Sequence, residues 1–318
     1  MTAVVVAPAA SRAEGQRRDW VAPFPLDIGL ILSAHGHGGG DPTFRADGDG
    51  SLWKTSLTPA GPATLRLTAR PAQAQTSVRA LAWGPGAEWV LQALPDLLGG
   101  ADDPGAFRPA HPLLRELAAR HAGGRIGRTG RVLEALVPAV LEQKVVGLEA
   151  FRAWRLLLRR FGLPAPGPAP AGLRVCPPAA TWAAIPSWEW HRAGVEGVRA
   201  ATIRGAARVA GRLEEIVTLP PEEADRRLRS LPGIGAWTSA EVRQRACGDP
   251  DAVSVGDYNL PGAVGWALAG RVVDDAGMLE LLAPYAGHRH RAARLIELSG
   301  IRPPRRGPRN PVRDYRSC

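Results

Sequence analysis

The chain has 318 residues, enough for two or three packed units, with a formal net charge of +10 and 45% hydrophobic residues. No apolar run reaches the ~18 residues that span a bilayer, and the N-terminal MTAVVVAPAASRAEG lacks the order of a secretory signal, so a cytoplasmic location without membrane contact is expected. Cys176, Cys247 and Cys318 are odd in number and far apart, which argues against a disulfide framework or a paired metal site and leaves three ordinary thiols.

Residues 1–22 have no sustained periodicity and read as a loose lead-in. From Phe24 to about Trp89 the pattern is strand-like: PFPLDIGLILSAH, then TFRADGDGSLWKTSL with Asp-Gly at 47–48 and 49–50 between two alternating segments, then PATLRLTARP. His35 and His37, beside the glycines at 38–40, read as a flexible loop. Residues 23–100 are therefore expected to form a small α+β domain, an antiparallel sheet with some helix. After GGADDPGAF the character changes to helix upon helix: HPLLRELAARH, RVLEALVPAVLEQKVVGLEAFRAWRLLLRRFG, AATWAAI, EGVRAATIRGAARVAGRLEEIV and PEEADRRLRSL. Residues 101–300 are expected to be a large all-α domain in two lobes, interrupted by the Pro-rich connector LPAPGPAPAGLRVCPP. Residues 301–318 form a basic Pro/Arg-rich tail.

That tail holds Arg302, Arg305, Arg306, Arg309, Arg313 and Arg316 against Asp314, so half of the net charge lies in one segment. A basic balance suits a polyanion partner, since neutralised phosphates release counterions. With only two lysines, Lys54 and Lys144, and an abundance of Ala, Gly, Pro and Arg, the composition also carries the mark of a GC-rich genome. Charge alone does not choose between these readings.

Residues 231–238, LPGIGAWT, lie between the amphipathic EEADRRLRSL and a helix starting near Trp237. Gly233 and Gly235 allow positive φ and close backbone approach, so N–H groups at the second helix can face an anion such as a DNA phosphate. By itself such a turn also serves simply to join packed helices. Downstream, GDPDAVSVGDYNLPGAVGWAL sets Asp257 after a Gly/Asp/Pro loop and before an apolar helix, where an aspartate can be an N-cap and nothing more.

Taken together, hairpin and aspartate resemble the signature of the helix-hairpin-helix DNA glycosylases. The likeness runs over roughly residues 24–300 and includes VLEALVPAVLEQKVVGLEAF, GVEGVRAATIRGAARVA and LLAPYAGHRHRAARLI. The α+β module in front makes the chain similar to the bacterial 3-methyladenine DNA glycosylase II, or AlkA, type. The resemblance implies a nucleoid-associated monomer that binds double-stranded DNA, flips an alkylated purine such as 3-methyladenine and hydrolyses its glycosidic bond with Asp257 and no cofactor. It implies phosphate contact through Leu231, Pro232, Gly233, Ile234, Gly235 and Thr238, with room for a monovalent cation at the hairpin backbone and no catalytic metal. It implies an aromatic base pocket from Trp237, Tyr258 and Tyr285, suited to a cationic base. Gln143 and Lys144 fall where the family fills the gap left by the flipped nucleotide; a solvent-exposed lysine at a helix end is the alternative there.

Two absences sharpen this assignment, and one departure, at Glu241, bears on the substrate range. Trp237 stands where the lyase members carry the lysine that forms a Schiff base. The cysteine quartet of the iron–sulfur relatives is missing. Glu241 stands where close relatives can carry an aromatic. His288 and His290 read as surface or DNA-facing residues. The competing functions are a bifunctional glycosylase/lyase and a non-catalytic protein that keeps the hairpin for phosphate contact alone.

Overall fold

The computed structural model describes residues 15–72 and 74–304. Most of the N-terminal lead-in and the tail arginines from 305 onward lie outside the described residues.

The N-terminal part is a five-stranded antiparallel sheet in the order β1-β5-β4-β3-β2. Its elements are β1 (Gln16–Ala22), α1 (Ile28–Ser33), β2 (Phe44–Ala46), β3 (Leu52–Thr58), β4 (Gly61–Ala72) and β5 (Gln75–Trp83), followed by α2 (Ala87–Gln92) and α3 (Leu94–Leu97). The Asp-Gly repeat turns β2 into β3 as the alternation predicts. Two expectations fail here. Residues 16–22, read as loose, pair along their whole length with β5; the pattern was hidden because β1 is an edge strand with only Ala22 fully buried. The segment around DIGLILS, read as strand, is helix α1: Ile28, Ile31 and Leu32 are buried at i, i+3, i+4 spacing, and Asp27 caps it by accepting the Leu30 N–H at 2.8 Å. Short apolar runs do not separate the two periods.

The helical part comprises α4 (Pro112–Arg120), α5 (Val132–Leu141), α6 (Gly147–Phe161), the short pair β6 (Leu163–Pro164) and β7 (Arg174–Val175), α7 (Ala179–Ala184), α8 (Ser187–Arg192), α9 (Gly197–Arg208), α10 (Ala210–Glu214), α11 (Pro221–Arg229), α12 (Ala236–Val242), α13 (Leu260–Ala269), α14 (Asp275–Leu282) and α15 (Arg289–Ser299). None of these helices is long and apolar enough to cross a membrane.

Three hydrophobic clusters organise the chain. One lies between the sheet and α1 to α3. A second surrounds α5, every residue of which but Glu134 is buried, and takes in α6 to α12. The third joins α4 to α13, α14 and α15, so the chain enters the helical region in one lobe, builds the other, and returns. α5 is held at both ends by remote side chains. The Glu214 carboxylate accepts from the Val132 and Leu133 N–H groups at 2.9 and 3.1 Å, and the Arg199 guanidinium donates to the Leu141 carbonyl at 2.6 Å. These satisfy backbone groups that a helix leaves orphaned.

Candidate active site

Two elements on one side of the α5 lobe present backbone outward. The first is the hairpin between α11 and α12. Gly233 has φ +86°, and a Cβ there would lie 2.1 Å from Thr202 Oγ1, so both the turn and the packing against α9 demand glycine. Gly235 is exposed with open space around it, and no side chain caps the first turn of α12. Pro232, Gly233 and Gly235 form the exposed face. Ile234 is buried in the lobe's core and Leu231 packs partly against it, anchoring the hairpin from beneath. Thr238, expected at the phosphate, is instead 2% exposed, and its hydroxyl accepts from the Gln143 side chain at 2.8 Å.

The second element is the turn from α5 to α6. Lys144 sits at its tip, exposed, with φ +54°, the only non-glycine of positive φ among the described residues. Gln143, expected beside the lesion gap, turns its amide to the hairpin, donating to the Gly233 carbonyl at 2.9 Å as well as to Thr238. That carbonyl, part of the hairpin backbone where the resemblance implies room for a monovalent cation, is thus already an acceptor. No group of three or more His, Cys, Asp and Glu side chains among the described residues is arranged to hold a metal ion.

Asp257 lies in the loop between α12 and α13. Its Oδ1 accepts the N–H groups of Asn259 and Leu260 at 2.7 and 2.9 Å, at the start of α13. Its Oδ2 accepts the Trp237 indole N–H at 3.1 Å. Three donors, two of them backbone N–H groups at the start of α13, hold the carboxylate in one orientation. Trp237 is therefore the residue that orients Asp257.

Asp257 opens on a cavity of about 290 Å³ at the meeting of the three clusters, near the lower end, about 300 Å³, of small-ligand sites. Its walls come from α1, the segment after α4, the α12–α13 stretch and α15. The wall nearest Asp257 is a hydrogen-bonded network. Glu241 receives the Arg245 guanidinium at 2.6 Å and the Ser254 hydroxyl at 2.5 Å. The Arg245 guanidinium also donates to the Ala34 carbonyl at the end of α1, at 3.0 Å. Gln244 donates to Ser254 Oγ and the Ala252 carbonyl at 2.9 and 2.8 Å. Ser254 in turn accepts the Asp257 N–H on its carbonyl, at 3.2 Å.

The opposite wall is α15, which presents His290, Arg294 and Glu297. Burial, then the guanidiniums of Arg294, Arg245 and Arg291, push the His290 imidazole down to about 3. Burial likewise drives His35, on the α1 wall, well below the usual histidine range. Burial raises the Glu297 carboxyl, against the pull of Arg294. Glu297 is itself exposed.

Several expected placements do not hold. Tyr285 is 5% exposed; it packs against Phe107 in the third cluster, and its hydroxyl accepts the His111 N–H at 3.3 Å. Tyr258 is 87% exposed and points away from the core. No Trp, Tyr or Phe ring is among the cavity's lining residues, so in place of the expected aromatic pocket stands one lined by aliphatic and charged side chains. His35 and His37 are buried and no flexible loop: His35 lines the cavity, and His37 packs edge-on against Trp154. His290 faces the cavity; His288 is half-buried beside Phe107 and Arg291. The residues missed in sequence are Arg245, Arg294 and Glu297, although Glu241 and Arg245 at i, i+4, and Arg294 and Glu297 at i, i+3, share helix faces.

No family model matches the chain, and no curated protein matches it by sequence. Among solved structures it is similar to the 3-methyladenine DNA-glycosylase from Archaeoglobus fulgidus, with TM-score 0.72 and 18% identity over 89% of this chain and 98% of that one. MBOgg1, solved in complex with a low affinity DNA ligand, gives TM-score 0.68 and 14% identity over 89% and 96% of the two chains. The 8-oxoguanine glycosylase/lyase of Clostridium acetobutylicum in its apo form gives 0.66 and 11% over 89% and 98%. At such identities the likeness is one of fold: a sheet-bearing N-terminal part followed by a helical body.

Proposed function

We propose that this protein is a DNA glycosylase of base-excision repair, a monomer that acts on duplex DNA and releases a damaged base by hydrolysis without a cofactor. The observation that carries this reading is Asp257, its carboxylate fixed by three donors at the mouth of a cavity of nucleobase scale. The glycosidic bond of a stacked base is out of reach of any side chain, so the nucleotide must leave the duplex, at a cost of a few kcal/mol. Phosphates gripped at the hairpin and the α5–α6 turn inserted at the gap would hold the distorted strand. With the base in the cavity, the Asp257 charge stabilises the cationic sugar that develops as the bond breaks, and its free lone pairs orient the attacking water.

The sequence resemblance points to an alkylated purine. Its physical basis, π faces around a cationic base, is not what lines this cavity, so the geometry supports excision of a damaged base without favouring that lesion. A glycosylase/lyase is the second reading, favoured by the fold likeness to the Clostridium enzyme. Against it, Lys54 and Lys144 are the chain's only lysines and neither lines the cavity with Asp257.

The test is to incubate the protein with alkylated and oxidised genomic DNA and identify released bases by mass spectrometry. Asp257→Asn should lower release by at least about a hundredfold and keep affinity for an abasic-site analogue within roughly tenfold. Full activity of that variant, or no free base from the parent, overturns the assignment. A borohydride-trapped adduct on any lysine moves the protein to the lyase class.

A further inference from the structure

We infer that the cavity takes an uncharged guanine-type base, such as an oxidised guanine, read by hydrogen bonds from Arg294 and Glu297 on α15. This rests on the glycosylase reading above and concerns which base that site selects.

The inference starts from which polar groups in the cavity are already engaged. Both Glu241 oxygens are occupied, by Arg245 and Ser254, and the Gln244 amide N–H₂ is occupied by Ala252 and Ser254. Those side chains build the wall. The α15 groups are different. The Arg294 guanidinium makes one long contact, 3.3 Å, to Ser33 Oγ. No described residue donates a hydrogen bond to the Glu297 carboxylate; of that residue's acceptors the backbone carbonyl alone is engaged, by the Gly300 N–H. They lie three residues apart on one helix face and both line the cavity. A guanidinium and a carboxylate side by side offer donors next to acceptors.

A guanine-type base is the complement of that pair. Its O6 accepts from a guanidinium, through a single bond in 8-oxoguanine because N7 there carries a hydrogen; its ring N1–H and amino group are adjacent donors that suit a carboxylate. Adenine mixes a donor and an acceptor on one edge and is matched by an amide side chain. The only amide in the cavity, that of Gln244, has its N–H₂ bound elsewhere.

On its His290 side, away from the Asp257 carboxylate, the cavity disfavours a cation. His290 reports on that side, since burial and three guanidiniums hold its imidazole neutral down to about 3. A cationic alkylated purine entering beside His290 meets the same desolvation and the same positive charges, without an aromatic face to offset them.

The experiment measures single-turnover base release from otherwise identical duplexes carrying 8-oxoguanine, hypoxanthine or 3-methyladenine. Affinity for each duplex is measured alongside, with Asp257→Asn protein to prevent turnover. The parent is expected to release 8-oxoguanine at least tenfold faster than 3-methyladenine. Glu297→Ala should lower 8-oxoguanine release and lesion affinity roughly ten- to a hundredfold while leaving affinity for undamaged duplex unchanged. Glu297→Gln keeps the side-chain volume and should lose most of the same preference, which separates recognition from packing. Preferred release of 3-methyladenine, or a preference for 8-oxoguanine that survives both Glu297 variants, overturns the inference and leaves the glycosylase reading standing. If the parent releases no base at all, the glycosylase reading fails. In that case tighter binding of the 8-oxoguanine duplex than of undamaged duplex, lost in Glu297→Ala, still upholds the pocket assignment, and equal binding overturns it.

Discussion

Replacing Glu241 by alanine should damage both the stability of the fold and the placement of Asp257. The Glu241 side chain is 12% exposed and that of Arg245 23%, so removing the carboxylate strands a guanidinium with only the carbonyls of Ala34 and Glu241 as acceptors. Breaking such a pair from one side costs about 3 kcal/mol or more, a large share of the roughly 5–15 kcal/mol that holds a typical domain together. Ser254 also loses its acceptor, and Ser254 is what receives the Asp257 N–H. A loosened carboxylate should slow single-turnover base release about tenfold or more. Urea unfolding and quenched-flow excision measure the two effects. Glu241→Gln keeps an acceptor for Arg245 and should recover all but about 1 kcal/mol. In a double-mutant cycle, Glu241→Ala and Ser254→Ala should couple by about 1 kcal/mol. An alanine variant within about 1 kcal/mol of the parent, with an unchanged rate, would refute the view that this network positions the aspartate.

Gly235→Val tests the hairpin, because the position has open space and φ −96°, so the fold should tolerate the side chain while a phosphate should not; unchanged affinity for duplex DNA would make the hairpin a structural turn only. Lys144→Gly relieves a left-handed lysine, a gain of about 1 kcal/mol offset by the glycine's greater chain entropy. Stability should therefore hold within about 1 kcal/mol while affinity for lesion-bearing duplex falls at least about threefold; equal affinity would remove Lys144 from the DNA interface. Folding should weaken as pH falls from 6.5, since the unfolded chain protonates His290 near 6.5 and the folded one only near 3. At pH 5 that is roughly 2 kcal/mol at about 1.36 per pH unit, with His35 adding in the same direction. Urea unfolding at pH 7 and pH 5 should show a smaller loss in His290→Gln, and an equal loss in both proteins would contradict the account.

The features readable in the sequence were local ones. The Gly233 turn, the helix beginning near Trp237 and the aspartate ahead of α13 are each specified by neighbours within a few residues, and each stands where the spacing placed it. The cavity was not readable, because its walls meet only in three dimensions: Arg245 reaches the Ala34 carbonyl across 211 residues of chain. Tyr285 shows the opposite error. Its position in a motif suggested the pocket, but α4, which precedes the whole α5 lobe in sequence, folds back against α15 and encloses the ring in the third cluster. The histidines at 35 and 37 were obscured by the glycines beside them, though Gly38 is itself closely packed: a Cβ there would lie 2.4 Å from the Phe151 ring.

The two outward-facing elements are one mechanical unit. The hairpin can grip a phosphate only if its backbone is stiff, and the α5–α6 turn can enter a duplex only if its tip does not fold back. Gln143 joins them, donating to Gly233 and Thr238 from the residue next to Lys144. Arg199 fixes the same turn from the other side through the Leu141 carbonyl. A lysine in the left-handed region persists only where its surroundings over-determine it, and these contacts on either side of residue 144 supply that constraint. Strain at Lys144 is thus tied to the shape of the hairpin, so that on the proposed reading a phosphate seated at Gly235 and a side chain presented at Lys144 would hold a fixed spacing along the strand. Asp257 belongs to the same rigid body through Trp237, which opens α12 two residues after Gly235. On the proposed reading, the distance from phosphate to reacting sugar would be set by α12 and by the Trp237 bond that ties the Asp257 loop to it, which is the pre-organisation that stabilising a short-lived cation requires.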